Sequence, residues 1–216
     1  MMEYYVIFDM DGVLVDSHRM IWESFNKILG RYGINLSEED IKKYKGKSLK
    51  DDIVDWNQRY GLKLDLGSFT DEAWDLEVQF LKTMKPDKGL ITLLDDLKSN
   101  GVHLAVGTSS QRFRADIILK YMGLTEYFPI IISSDDVTLH KPNPDIFLEA
   151  ARRLKADPTN CVVIEDAQNG ICAAKSGGMK VVGYFNGHND IEDLKESDLV
   201  IRNFSDLSYR RIAKLF

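Results

Sequence analysis

A chain of 216 residues with 44% hydrophobic and 29% charged side chains has the balance of an ordinary globular protein, and it is long enough to bury a core without disulfide staples. Its formal charge of −6 at pH 7 creates no basic field to gather phosphates, which argues against a general nucleic-acid binder or an anionic-membrane binder. Cys161 and Cys172 form neither a C-x-x-C pair nor a zinc-type cluster, as befits a reducing compartment. Residues 1–15 carry Glu3, Asp9 and Asp11 and lack the basic start of a signal peptide. No run approaches the roughly 20 apolar residues that span a bilayer. A soluble, cytoplasmic protein is expected.

The first element is an apolar run at residues 4–8, which reads as a buried strand and ends directly at Asp9. Residues 17–85 then show helical patterns at 20–32, 38–44, 49–60 and 69–84 and no convincing strand. Trp22, Trp56 and Trp74 are expected to pack these helices together. From about residue 86 strands alternate with helices. Short runs rich in Val and Ile lie at 102–106, 130–132, 161–164 and 180–182, with a weaker one at 199–201, and suit parallel strands covered on both faces. Leu90, Leu93, Leu94 and Leu97 form a helical stripe that Gly101 is placed to end. Asn143 and Pro144 read as the N-cap and first residue of a helix carrying Ile146, Phe147, Ala150, Ala151 and Leu154. The pattern predicts an α/β fold: a doubly wound, Rossmann-like parallel sheet formed by residues 1–16 and 86–216, with residues 17–85 inserted as a helical cap domain.

Chemistry-bearing residues sit at four strand ends, where ligands bind in open parallel sheets. Asp9-Met10-Asp11-Gly12 follows the first strand. Two carboxylates so placed call for a positive partner, and an oxygen-only set favours Mg2+ over zinc; a solvated D-G turn is the plain alternative. Thr108, Ser109 and Ser110 follow the run at 102–106, where hydroxyls and free N–H groups either hold a phosphate or cap a helix. Lys141 lies in a loop stiffened by Pro142 and Pro144. Glu165 and Asp166 follow the run at 161–164; they either complete a metal site or, in the case of Asp166, cap the next helix.

The order D-x-D-G, T/S, K-P and E-D resembles the four motifs of the haloacid dehalogenase-like superfamily, and the flanking sequence resembles its phosphatase and β-phosphoglucomutase-like branch. The resemblance implies roles by position. Asp9 is the expected nucleophile, forming an aspartyl-phosphate. Asp11 is the expected acid and then base, with its backbone carbonyl on the metal. Thr108, Ser109 and Lys141 are expected to bind the transferring phosphoryl group. Asp9, Asp11, Glu165 and Asp166 are expected to hold Mg2+. The implied substrate is a small phosphorylated metabolite and the implied assembly a monomer or weak homodimer.

Dehalogenases and phosphonate hydrolases of the superfamily keep no acid at the position of Asp11, which favours phosphate esters. β-Phosphoglucomutase is the nearest alternative. It resembles this chain but has a histidine where Ile21 stands and an arginine where Leu49 stands, which favours a phosphatase. Lys45, Lys47 and His18 are the candidates for reading the leaving group, against plain roles as a solvated turn and a helix cap. A non-catalytic phosphometabolite-binding role is the third reading; the intact Asp9 and Asp11 count against it.

Overall fold

The computed structural model describes residues 4–37, 39–40 and 49–216. They fall into two compact units, one of residues 4–16 and 85–216 and one of the described residues between 17 and 84.

The first unit is built on six parallel strands: β1 (Tyr5–Phe8), β2 (His103–Gly107), β3 (Ile130–Ile132), β4 (Cys161–Glu165), β5 (Lys180–Tyr184) and β6 (Leu199–Ile201), in the spatial order β3-β2-β1-β4-β5-β6. The central strands are continuous apolar runs because both faces are covered. Alternate side chains serve opposite faces. Ile7, Ala105, Val163 and Val181 pack with Ile146, Phe147, Ala150, Ile171 and Ala174, which belong to the helices Asp145–Leu154 and Gln168–Ser176. Val6, Phe8, Leu104, Val106, Val162, Ile164 and Val182 are buried on the other face, where Phe8 meets Phe128 edge-on at 5.4 Å.

The second unit holds three helices among the described residues, α1 (Ser17–Leu29), α2 (Leu49–Tyr60) and α3 (Leu66–Leu81). Phe25, Ile28, Leu29, Ile53, Trp56, Phe69 and Ala73 form its core, with the Phe25 ring 5.8 Å from Trp56 and 5.3 Å from Phe69. Asp65 starts α3 by accepting from the Ser68 N–H at 3.0 Å. The expected helix at 38–44 falls largely outside the described residues.

In the first unit the helices are α4 (Lys88–Ser99), α5 (Arg112–Tyr121), α6 (Asp145–Leu154), α7 (Gln168–Ser176) and α8 (Tyr209–Ile212). Gly101 ends α4 as expected, in the left-handed region at φ +75, with the Val102 N–H returning to the Leu97 carbonyl at 3.0 Å. The reading of Asn143 as N-cap of α6 is corrected. Pro144 occupies that position and makes no side-chain cap bond, while Asn143 Nδ2 donates to the His140 carbonyl at 3.0 Å. The asparagine closes its own loop, and thereby the loop that presents Lys141.

Phe147 is fully buried and joins α6 to the sheet. Phe147→Ala is expected to cost about 3–5 kcal/mol, measured as a lower urea midpoint for the unit that contains the sheet.

Candidate active site

Sheet register brings the site together. Phe8 pairs with Val106 on one side and Ile164 on the other, so the residues after β1, β2 and β4 emerge at one level. Asp9 remains in the ladder, its N–H donating to the Ile164 carbonyl at 2.9 Å. The chain then turns, with the Met10 carbonyl accepting from the N–H groups of Val13, Leu14 and Val15 at 3.3, 2.9 and 3.2 Å. Gly12 lies at φ +81, and a Cβ there would fall 2.2 Å from Asp166 Oδ2. Both the backbone angle and the neighbouring carboxylate demand glycine.

The turn directs Asp11 toward β2. Its Oδ2 accepts from Ser110 Oγ at 2.7 Å and lies 3.5 Å from Thr108 Oγ1. The buried Thr108 hydroxyl accepts from the Ser110 N–H at 3.0 Å. These hydroxyls therefore face Asp11 rather than capping α5, whose N-cap residue is Gln111 with no side-chain cap bond. Ser109 is exposed beside them.

Lys141 reaches the site from the loop after β3. Its Nζ donates to Asp9 Oδ1 at 2.5 Å and to Glu165 Oε1 at 2.8 Å, and the three side chains are only 8%, 8% and 2% exposed. The ammonium also stands 4.6 Å from the centre of the Phe147 ring, a cation–π contact. Glu165 Oε2 accepts from the Ala167 N–H at 2.6 Å. A Cβ at Gly170 would lie 1.6 Å from Glu165 Oε1, so the first turn of α7 must be bare for that carboxylate to fit. Asp166 does not cap α7, whose N-cap residue is Ala167; its Oδ2 accepts from Asn186 Nδ2 at 2.8 Å.

Asp9, Glu165 and Asp166 each offer an oxygen, all within 4.8 Å of one another. The electrostatics reflect the crowding. Burial is the main force on Asp9; Lys141 opposes it while Glu165 and Asp11 add to it, and the carboxyl is raised to about 7. Burial, with Glu165 and Asp9, raises Asp166 to about 8 against the Asn186 hydrogen bond and Lys141. For Lys141 burial favours the neutral amine, but Asp9 and Glu165 outweigh it and hold the group charged, above the ordinary lysine value. One ammonium among these carboxylates leaves negative charge to be offset. The all-oxygen donor set fits a hard divalent cation.

Six of the residues expected from sequence converge here: Asp9, Asp11, Thr108, Lys141, Glu165 and Asp166. His18 stands in the other unit on α1, its ring 6.2 Å from that of Trp22, and Lys45 and Lys47 lie outside the described residues. Gly170, Asn186 and Asn189 are not among the residues expected from the sequence. Ser110 sat in a cluster already noted, whereas the asparagines look like ordinary turn residues after β5.

Residues 6–184 match the haloacid dehalogenase-like hydrolase family, and the chain belongs to that family. The fructose-1-phosphate phosphatase YqaB of Escherichia coli is 35% identical over 186 residues, covering 82% of this chain and 94% of its own. The bifunctional riboflavin kinase/FMN phosphatase of Arabidopsis thaliana is 32% identical over 203 residues; the match covers 94% of this chain but only 54% of that longer protein. The crystal structure of β-phosphoglucomutase from Clostridium difficile superposes with a TM-score of 0.78 at 26% identity, covering 99% of this chain and 97% of that one. Within the family the chain is a phosphoric monoester hydrolase, on the branch shared by sugar phosphatases and β-phosphoglucomutases.

The raised carboxyls of Asp9 and Asp166 have a consequence for stability. Each binds its proton to higher pH in the folded chain than in the unfolded one, so the stability they contribute is full in acid and is lost as pH rises from about 4 to about 8. Arg152 and Arg153 hold Glu149 down at about 2, so that surface group has finished titrating by about pH 5. The metal-free melting temperature is expected to fall between about pH 5 and 8.5, by about 4 °C or more. Asp166→Asn should flatten the fall, and Mg2+ should reverse it in the wild-type chain. A scanning-fluorimetry series over that range checks both.

Proposed function

We propose that this protein is a magnesium-dependent phosphatase of small phosphorylated metabolites, with sugar phosphates as the substrate class and Asp9 as the nucleophile. The observation that carries the reading is the Lys141 ammonium held between Asp9 and Glu165, beside a third carboxylate from Asp166. The names of the E. coli and Arabidopsis relatives support phosphate-ester hydrolysis.

In this reading a carboxylate oxygen of Asp9 attacks phosphorus, the bond to the leaving oxygen breaks, and an aspartyl-phosphate forms. Lys141, already beside Asp9 Oδ1, offsets the repulsion between carboxylate and phosphate. Thr108 and Ser109 join Lys141 in binding the transferring group. Asp11, fixed by Ser110 Oγ, delivers a proton to the leaving oxygen. It then takes one from the water that attacks phosphorus, which releases inorganic phosphate and regenerates Asp9. Asp9, Glu165, Asp166 and the backbone carbonyl of Asp11 are the residues that hold Mg2+. When bound, that ion adds positive charge beside the phosphoryl group and orients it. Residues 17–84 act as the substrate-selecting cap, with His18, Lys45 and Lys47 as candidates for contacting the leaving group.

Mutase chemistry needs a polar hold on a second phosphate. Ile21 and Leu49, the two positions that differ from the mutase pattern, pack against the apolar core of the helical unit. That packing supports hydrolysis over phosphoryl return.

The test is phosphate release from a panel of sugar phosphates and other phosphomonoesters, with Mg2+ and with chelator. Release should require Mg2+, and Asp9→Asn should lower kcat by at least about 1,000-fold. Lys141→Ala should lower it by about 100-fold or more. Conversion of β-glucose 1-phosphate to glucose 6-phosphate without net phosphate release would contradict the proposal.

A further inference from the structure

The loop after β5 contains two asparagines whose side-chain hydrogen bonds run to Asp166, Gly12, the end of β5 and the loop itself. Asn186 Nδ2 donates to Asp166 Oδ2 at 2.8 Å and to the Gly12 carbonyl at 3.0 Å. Its Oδ1 accepts from the N–H groups of His188 and Asn189 at 2.9 and 3.2 Å. The amide orientation is therefore fixed from both ends. Turned over, its oxygen would face a carboxylate and a carbonyl, and its nitrogen two N–H donors. Asn189 Nδ2 holds the same residue by its backbone, donating to the Asp166 carbonyl at 2.7 Å and the Tyr184 carbonyl at 2.9 Å.

We propose that Asn186 is a positioning residue for the cation site: it ties the Asp166 carboxylate to the loop that carries Asp9 and Asp11, and so sets the affinity for Mg2+. The inference rests on the reading of Asp166 as a metal ligand. A carboxylate held by only one ligand-side contact can swing, and each orientation lost in binding costs affinity. A fixed amide donor removes that freedom before the ion arrives, and outer partners of this kind commonly control affinity 10- to 100-fold. Asn186 uses one end of its amide for the site and the other for its own loop. That division separates a positioning role from a role in stapling the loop.

The experiment is calorimetric titration of Mg2+ into metal-free protein, with the metal-free melting temperature measured on the same samples. Asn186→Asp keeps an oxygen for the His188 and Asn189 N–H groups and removes the donor to Asp166 and Gly12. Asn186→Ala removes both. Both variants should bind Mg2+ at least about 10-fold more weakly than wild type; without metal Asn186→Asp should melt lower than wild type, because its second oxygen faces the Asp166 carboxylate and the Gly12 carbonyl. Asn186→Asp binding Mg2+ as tightly as wild type, or more tightly, would overturn the inference and leave a loop staple. Asp166→Asn tests the underlying reading separately: if it binds Mg2+ like wild type, Asp166 is not a ligand, whatever Asn186 does. Should the alanine variant fail to fold, the aspartate variant decides alone.

Discussion

The ion pair that Lys141 makes with Asp9 and Glu165 is the contact on which the rest of the site depends. Three carboxylates with oxygens within 4.8 Å of one another, two of them almost closed to solvent, cannot all be charged in a protein interior without compensation. One ammonium meets part of that demand, and the all-oxygen donor set fits a hard divalent cation for the remainder. Much of the local structure follows from keeping this cluster in place. Bare backbone at Gly12 and Gly170 makes room for two of the carboxylates. Phe147 closes the apolar side of the ammonium, and asparagines from a fifth strand end, that of β5, tether Asp166.

The sheet supplies the rigidity that such a cluster needs. β1 lies between β2 and β4 in register, so Asp9 and the loop after it are flanked by Thr108 and Ser110 on one side and by Glu165 and Asp166 on the other. The same turn that points Asp11 toward the hydroxyls points the Gly12 carbonyl toward Asn186. Asp9 and Asp11, the proposed nucleophile and proton carrier, are thereby placed in different surroundings two residues apart: Asp9 among charges and a buried lysine, Asp11 among neutral hydroxyl donors. That separation lets two chemically identical carboxyls play different parts.

Much of this was legible in the sequence because buried parallel strands are short continuous apolar runs, and the residue after each run is the one the fold presents. The runs at 130–132 and 161–164 foretold β3 and β4, and the first polar residues after the runs led to Asp9, Thr108 and Glu165. What escaped was of a different kind. Asn186 and Asn189 act through amide geometry across the sheet, and nothing in linear spacing distinguishes them from turn formers. Asn143 carried a helix-start signature, yet its side chain satisfies a loop carbonyl instead, since Pro144 already supplies the helical entry angle. Gly170 reads as an unremarkable helix residue until the Glu165 carboxylate is seen against it.

Burial and neighbouring carboxylates raise the carboxyls of Asp9 and Asp166, so a bound cation would displace protons from them. Calorimetric Mg2+ titrations at pH 7 in buffers of different ionisation enthalpy measure that exchange directly. With burial holding the carboxyls of Asp9 and Asp166 well above the ordinary range, binding should release protons and strengthen as pH rises from about 6 to 9. Binding without proton release, at an affinity constant across that range, would contradict the account.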